Sequence, residues 1–146
     1  MPVITDRDSR PSDRRPQHDL KRAPASDAHR FGLERELLQL AQNIVQSRRH
    51  RNWEFGERLF SEPAWDMLLA LYVCESSGSV ATCADLIRAS GEARSTAARW
   101  LAHLESELLV QKGRHPLNGR TDFIELTDRG RELLERYLAG IHSSQD

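Results

Sequence analysis

Apolar residues recur along the chain at two different periods, and the change of period divides it into elements. Leu33, Leu37, Leu40, Ala41 and Ile44 return at steps of three and four, which brings them to one face of an α-helix. That helix is expected to run to about Asn52, with Arg48, Arg49, His50 and Arg51 near its end, where cations complement the helix dipole. Its apolar face must dock, either on its own domain or on a second copy of the chain. Ser61-Glu62-Pro63 reads as the start of a second helix, because serine caps free N–H groups and proline is tolerated in the first turn. This helix is expected from about Ala64 to Ser76, with Trp65, Leu68, Leu69, Tyr72 and Val73 as its buried stripe. Ser77-Gly78-Ser79 ends it.

Thr82 caps a short third helix carrying Leu86 and Ile87, and Ser90-Gly91-Glu92 forms a turn in which Gly91 can take a positive φ. A fourth helix follows, from about Arg94 to Glu107. Two short helices joined by a tight glycine-containing turn match a helix-turn-helix. The period then switches. Leu108-Leu109-Val110 and Phe123-Ile124-Glu125-Leu126 read as strands around a polar loop, Gly113 to Thr121, that holds Pro116 and the turn pair Asn118-Gly119. Thr127 caps a last helix, with Asp128 in its first turn, Leu133, Leu134, Tyr137 and Leu138 on its apolar face and Gly140 near its end.

This order predicts a mainly α fold with a small β-hairpin (α+β), a winged helix-turn-helix with an added N-terminal helix. Residues 1–31, rich in Arg, Asp, Pro and Ser, are expected to be a disordered tail, since they offer almost nothing to bury. Residues 32–58 are expected to form an N-terminal dimerisation helix, and 61–141 a winged helix DNA-binding domain.

Composition adds limits. A chain of 146 residues, 38% hydrophobic and 29% charged, suits one soluble domain plus a tail. The longest apolar run, Met67 to Cys74, is too short to span a membrane, and Met1 to Leu20 lacks a signal-peptide core. A cytoplasmic protein without a membrane partner is expected. Cys74 and Cys83 form no CxxC pair and read as small core residues. The net charge is −1, but it is unevenly spread. Ala93 to Arg120 holds five basic and two acidic residues, whereas Ser61 to Glu92 holds one basic and five acidic.

The electropositive stretch coincides with the fourth helix. Its Ala97, Trp100, Leu101, Leu104 and Leu108 are expected to be buried, which turns Ser95, Thr96, Arg99, Ala102 and His103 outward. A B-DNA major groove accepts one α-helix, and the N-terminal half of such a helix usually reads bases. Ser95, Thr96 and Arg99 are the expected readers, Arg99 through a bidentate contact with guanine, with Arg94 and His103 more peripheral. The hairpin loop adds Lys112, Arg114, His115 and Arg120, cations suited to a narrow minor groove.

The run RSTAARWLAHLESELLV, followed by GRHPLNGRTDFIELTDRG, resembles the multiple-antibiotic-resistance regulator (MarR) family. That family has a leucine-glutamate segment, a wing with an Asp-x-Arg tip and a Leu-Thr-x-x-Gly helix start. Here Leu104-Glu105, Asn118-Gly119-Arg120 and Leu126-Thr127-Asp128-Arg129-Gly130 stand in those places. The resemblance spans about Ser61 to Tyr137, and implies that Arg120 is the wing arginine and that Ser95, Thr96 and Arg99 are recognition-helix positions. It also implies a homodimer on a palindromic site, with recognition helices about 34 Å apart. Two positions depart from the pattern: Asn118 replaces the usual aspartate, and Leu108 stands where a glycine usually precedes the strand.

Other functions find less support. His18, His29, His50, His103, His115 and His142 are scattered, Glu132 and Glu135 read as a solvated face, and no HExxH, GxSxG or phosphate-cradling loop is present. No catalytic residue, metal ligand or cofactor is assigned, and the chain is not expected to be an enzyme. The alternative is a winged helix used for protein contacts without specific DNA binding. Many relatives sense small aromatic ligands, and Trp53, Phe55, Trp65 and Tyr72 could line such an effector pocket, but they read first as core.

Overall fold

The computed structural model describes residues 25–113 and 122–145. The elements are α1 (Ala25–Phe55), α2 (Pro63–Ser76), β1 (Ala81–Thr82), α3 (Cys83–Ser90), α4 (Arg94–Ser106), β2 (Val110–Gly113), β3 (Phe123–Leu126) and α5 (Asp128–Ser143). Helices α2, α3 and α4 followed by the β2–β3 hairpin form a winged helix, flanked by α1 and α5. The sheet has three antiparallel strands in the order β1-β3-β2. The expected hairpin therefore gains a third strand, with Ala81 opposite Ile124 and Thr82 opposite Phe123. Strand β2 begins at Val110, so Leu108 and Leu109 form a connection rather than part of the strand. No described helix is long and apolar enough to cross a membrane.

Helix α2 is the centre of the core because it is apolar on more than one side. Met67, Leu69, Leu71 and Tyr72 are buried, while Trp65, Leu68 and Val73 of the expected stripe are only partly so. An all-round apolar helix needs neighbours on all sides, and α2 touches α1, α3, α4, α5, β1 and β3. Leu37 and Ala41 from α1, Leu86 from α3, and Leu134 and Leu138 from α5 complete the packing. The apolar face of α1 thus docks on its own domain.

Local chemistry explains most boundaries. Thr82 and Asp85 make a reciprocal capping box on α3, and Gly91 closes that helix at φ 68°. The Thr127 hydroxyl accepts from the Gly130 N–H to start α5. Ser61, in contrast, does not cap α2; Glu62 holds that position without a side-chain bond to the helix N–H groups, and the Ser61 hydroxyl donates to Glu92 instead.

Helix α1 also differs from expectation. It starts at Ala25, so residues 25–31 are helical rather than tail. It ends at Phe55, which leaves no basic residue in its last turn. Arg48 points inward at 8% exposure, where its Nε donates to Asp66 at 2.5 Å and its Nη1 to Glu62. Partners rather than the helix dipole place it. Trp53 and Phe55 are 85% and 66% exposed, so they are not core.

Candidate nucleic-acid interface

Helix α4 buries Ala97, Leu101 and Leu104 against the core. Trp100 and Leu108, expected on the same face, are 38% and 65% exposed. For Trp100 the reason is angular: it lies at the margin of the Ala97–Leu101–Leu104 stripe, and its ring meets the His103 edge with centroids 6.0 Å apart. For Leu108 the helix has already ended. The Leu108 N–H donates to the Glu105 carbonyl and the Leu109 N–H to the Leu104 carbonyl, the paired bonds of a Schellman motif. That motif needs a left-handed residue, and Leu108 takes it at φ 58°, the only positive φ outside glycine among the described residues.

Arg94, Ser95, Arg99 and His103 are exposed on α4, and Thr96 is half-buried. Ala98 and Ala102 lie exposed among them, so the helix backbone is open to close approach. Lys112 is exposed on β2 and shares with α4 an open groove of about 370 Å³, whose walls include Ala98, Ala102, Glu105 and Ile124. The structure therefore sets five of the expected residues outward on α4 or β2. Arg114 and Arg120, with the rest of the wing loop, lie outside the described residues.

The elements that carry these side chains are fixed from behind. The Glu75 carboxylate accepts from the Leu126 N–H at 2.7 Å and from Arg131 at 2.6 Å, which ties β3 and α5 to the end of α2. Thr127 donates from its hydroxyl to the Leu108 carbonyl at 2.5 Å and from its N–H to the Leu109 carbonyl at 3.1 Å. The end of α4 is thereby joined to the start of α5, with the wing between.

One cation escaped the sequence reading. Arg88 on α3 is exposed, pairs with Asp85 at 3.0 Å, and lines a second groove together with Arg94. Its only sequence signal was its isolation in an acidic stretch. Burial pushes the Cys74 thiol above its ordinary pKa, with Asp85 and Glu75 adding to the effect, so this cysteine stays protonated near neutrality. Both cysteines are half-buried and unpaired. Among the described residues no group of three His, Cys, Asp or Glu side chains could hold a metal ion.

No family model and no curated protein matches the sequence. Solved structures to which the chain is similar include a MarR family transcriptional regulator from Silicibacter pomeroyi DSS, at 19% identity and a TM-score of 0.48, covering 73% of this chain and 69% of that one. A point mutant of MepR from S. aureus is similar at 18% identity and a TM-score of 0.47, covering 83% of this chain and 78% of that one. BpsR from Bordetella bronchiseptica, whose DNA binding is regulated by 6-hydroxynicotinic acid, is similar at 17% identity and a TM-score of 0.42, covering 89% of this chain and 82% of that one.

Proposed function

We propose that the chain is a sequence-specific regulator of transcription that binds double-stranded DNA, with α4 in the major groove and the wing in the adjacent minor groove. The observation that carries this reading is the outward face of α4: Arg94, Ser95, Arg99 and His103 stand exposed beside two alanines on a helix braced by the core. Arg99 is the reader of guanine, Ser95 and Thr96 are short-range partners for base edges, and Arg94, His103 and Lys112 meet phosphates. Arg114 and Arg120 complete the minor-groove contact.

On this reading the regulator acts in the cytoplasm as a homodimer, which presents two half-site readers to a palindromic operator. Exposed apolar residues on the flanking helices, Phe31 and Leu33 on α1 and Leu133 and Tyr137 on α5, supply surface for that contact. A small-molecule effector would bind between α1 and the helix-turn-helix, in a cavity of about 270 Å³ whose walls include Trp53, Arg49, Arg88, Glu57 and Asp66 but not Phe55, Trp65 or Tyr72.

Selecting bound duplexes from a random pool tests the reading. The expected product is an inverted repeat whose half-sites sit about one helical turn apart. A pool that yields no enriched sequence at low salt overturns it and leaves the winged helix as a protein-contact module.

A further inference from the structure

A line of polar contacts runs from α1 to the start of the recognition helix. Arg48 reaches from α1 to Glu62 and Asp66 at the start of α2. The neighbouring Ser61 donates to Glu92, which stands two residues before α4 in the helix-turn-helix turn. The Arg48 side chain is 10% exposed and that of Asp66 17%, while the Arg48 Nη2 has no hydrogen-bond partner among the described residues. Taking a guanidinium and a carboxylate out of water offsets most of their attraction, so such a pair is a poor source of stability. Its best-attested use is to fix register, because two charges accept few alternative placements.

We propose that Arg48 and Ser61 are positioning residues that set the angle between α1 and α4, and so the half-site spacing that the dimer accepts. The inference rests on the DNA-binding reading above. Arg48 fixes the α2 start against α1; Ser61, on the same short connection, fixes the turn that leads into α4. If the flanking helices join the two copies, a small rotation of each winged helix about α1 changes the separation of the recognition helices. It leaves each reading face unchanged. The polar line thus governs spacing without touching DNA.

The test uses the full chain and duplexes carrying two selected half-sites, with spacers varied by single base pairs. Wild type is expected to prefer one spacing sharply. Ser61→Ala should keep the thermal midpoint and the affinity for a single half-site, yet cut the preference for the best spacing over its one-base-pair neighbour by about threefold or more. Ser61→Thr, which restores a hydroxyl, should recover it. The double variant Arg48→Met with Asp66→Leu replaces the buried pair by apolar groups; it should stay folded and show the larger loss of preference. An unchanged preference in Ser61→Ala overturns the inference, whatever the double variant does. A wild type that binds no duplex removes this inference together with the reading on which it rests.

Discussion

The carbonyl oxygen of Leu109 lies 2.1 Å from the point where a β-carbon would stand on Gly130. The glycine of the Leu126–Gly130 segment is therefore a matter of space: the chain leaving α4 passes directly over the first turn of α5. Thr127 bonds the same carbonyl and its neighbour, so the close approach is held from both sides. Gly130→Ala should destabilise the fold by about 1–3 kcal/mol, as for other forced overpacking. A urea midpoint unchanged by this substitution would contradict the packing described.

Leu108 holds a left-handed conformation that glycine adopts without steric cost. Its side chain is mostly exposed, so little burial is lost on removing it. Leu108→Gly should raise stability by up to about 1 kcal/mol, after the extra chain entropy of glycine is offset. Thermal denaturation checks this; a clear drop in midpoint would mean that Leu108 contributes more than its exposure suggests.

The capping box makes a pH prediction. The Thr82 backbone N–H, then its hydroxyl, hydrogen-bond the Asp85 carboxylate and hold its pKa below the usual range. A depressed folded pKa means that the ionised form favours the folded state. The contribution is complete above the unfolded value of about 3.9 and is lost as pH falls through the folded pKa. Thr82→Ala should cost about 1 kcal/mol near neutrality. Asp85→Asn should flatten the acid limb of the stability profile, and an acid limb as steep as in wild type would refute the assignment.

Phe31 and Leu33 are 62% and 38% exposed on α1. Substituting both by glutamate should cost the single chain little, because neither is core. In sedimentation, wild type is expected at twice the chain mass and Phe31→Glu with Leu33→Glu at the chain mass. A double variant that still sediments as a dimer would move the interface elsewhere.

Elements that carry their own signal were legible in the sequence. The Thr82 and Thr127 caps, the Gly91 turn and the β3 strand all appear where local residues place them. What the sequence hid depends on distant partners. Strand β1 is only two residues long and forms because β3 passes beside it. Arg48 is one of four clustered cations that the sequence assigns to the helix dipole, because its carboxylates are 14 and 18 residues away. The first turns of α1 bury no side chain, Ala25, Ala28 and Phe31 included, so no apolar stripe marks their start. On the candidate interface, the exposed faces of Arg94, Ser95, Arg99 and His103 follow from helical spacing, whereas Thr96 is half covered and Lys112, expected in the hairpin loop, stands on β2 because that strand runs on to Gly113. Arg88 carries no such signal, since it stands alone among acidic residues on a helix whose pattern shows only its cap and its core.

DNA binding stands or falls on the α4 face. Binding of a selected duplex, followed by fluorescence anisotropy across a salt series, tests it most directly. Wild type should lose affinity steeply as salt rises, the slope of log K against log salt being about −0.9 for each phosphate neutralised. Arg99→Ala should weaken specific binding by about 1–3 kcal/mol and narrow the margin over random duplex. Specific affinity that survives Arg99→Ala intact, with no dependence on salt, would contradict the account.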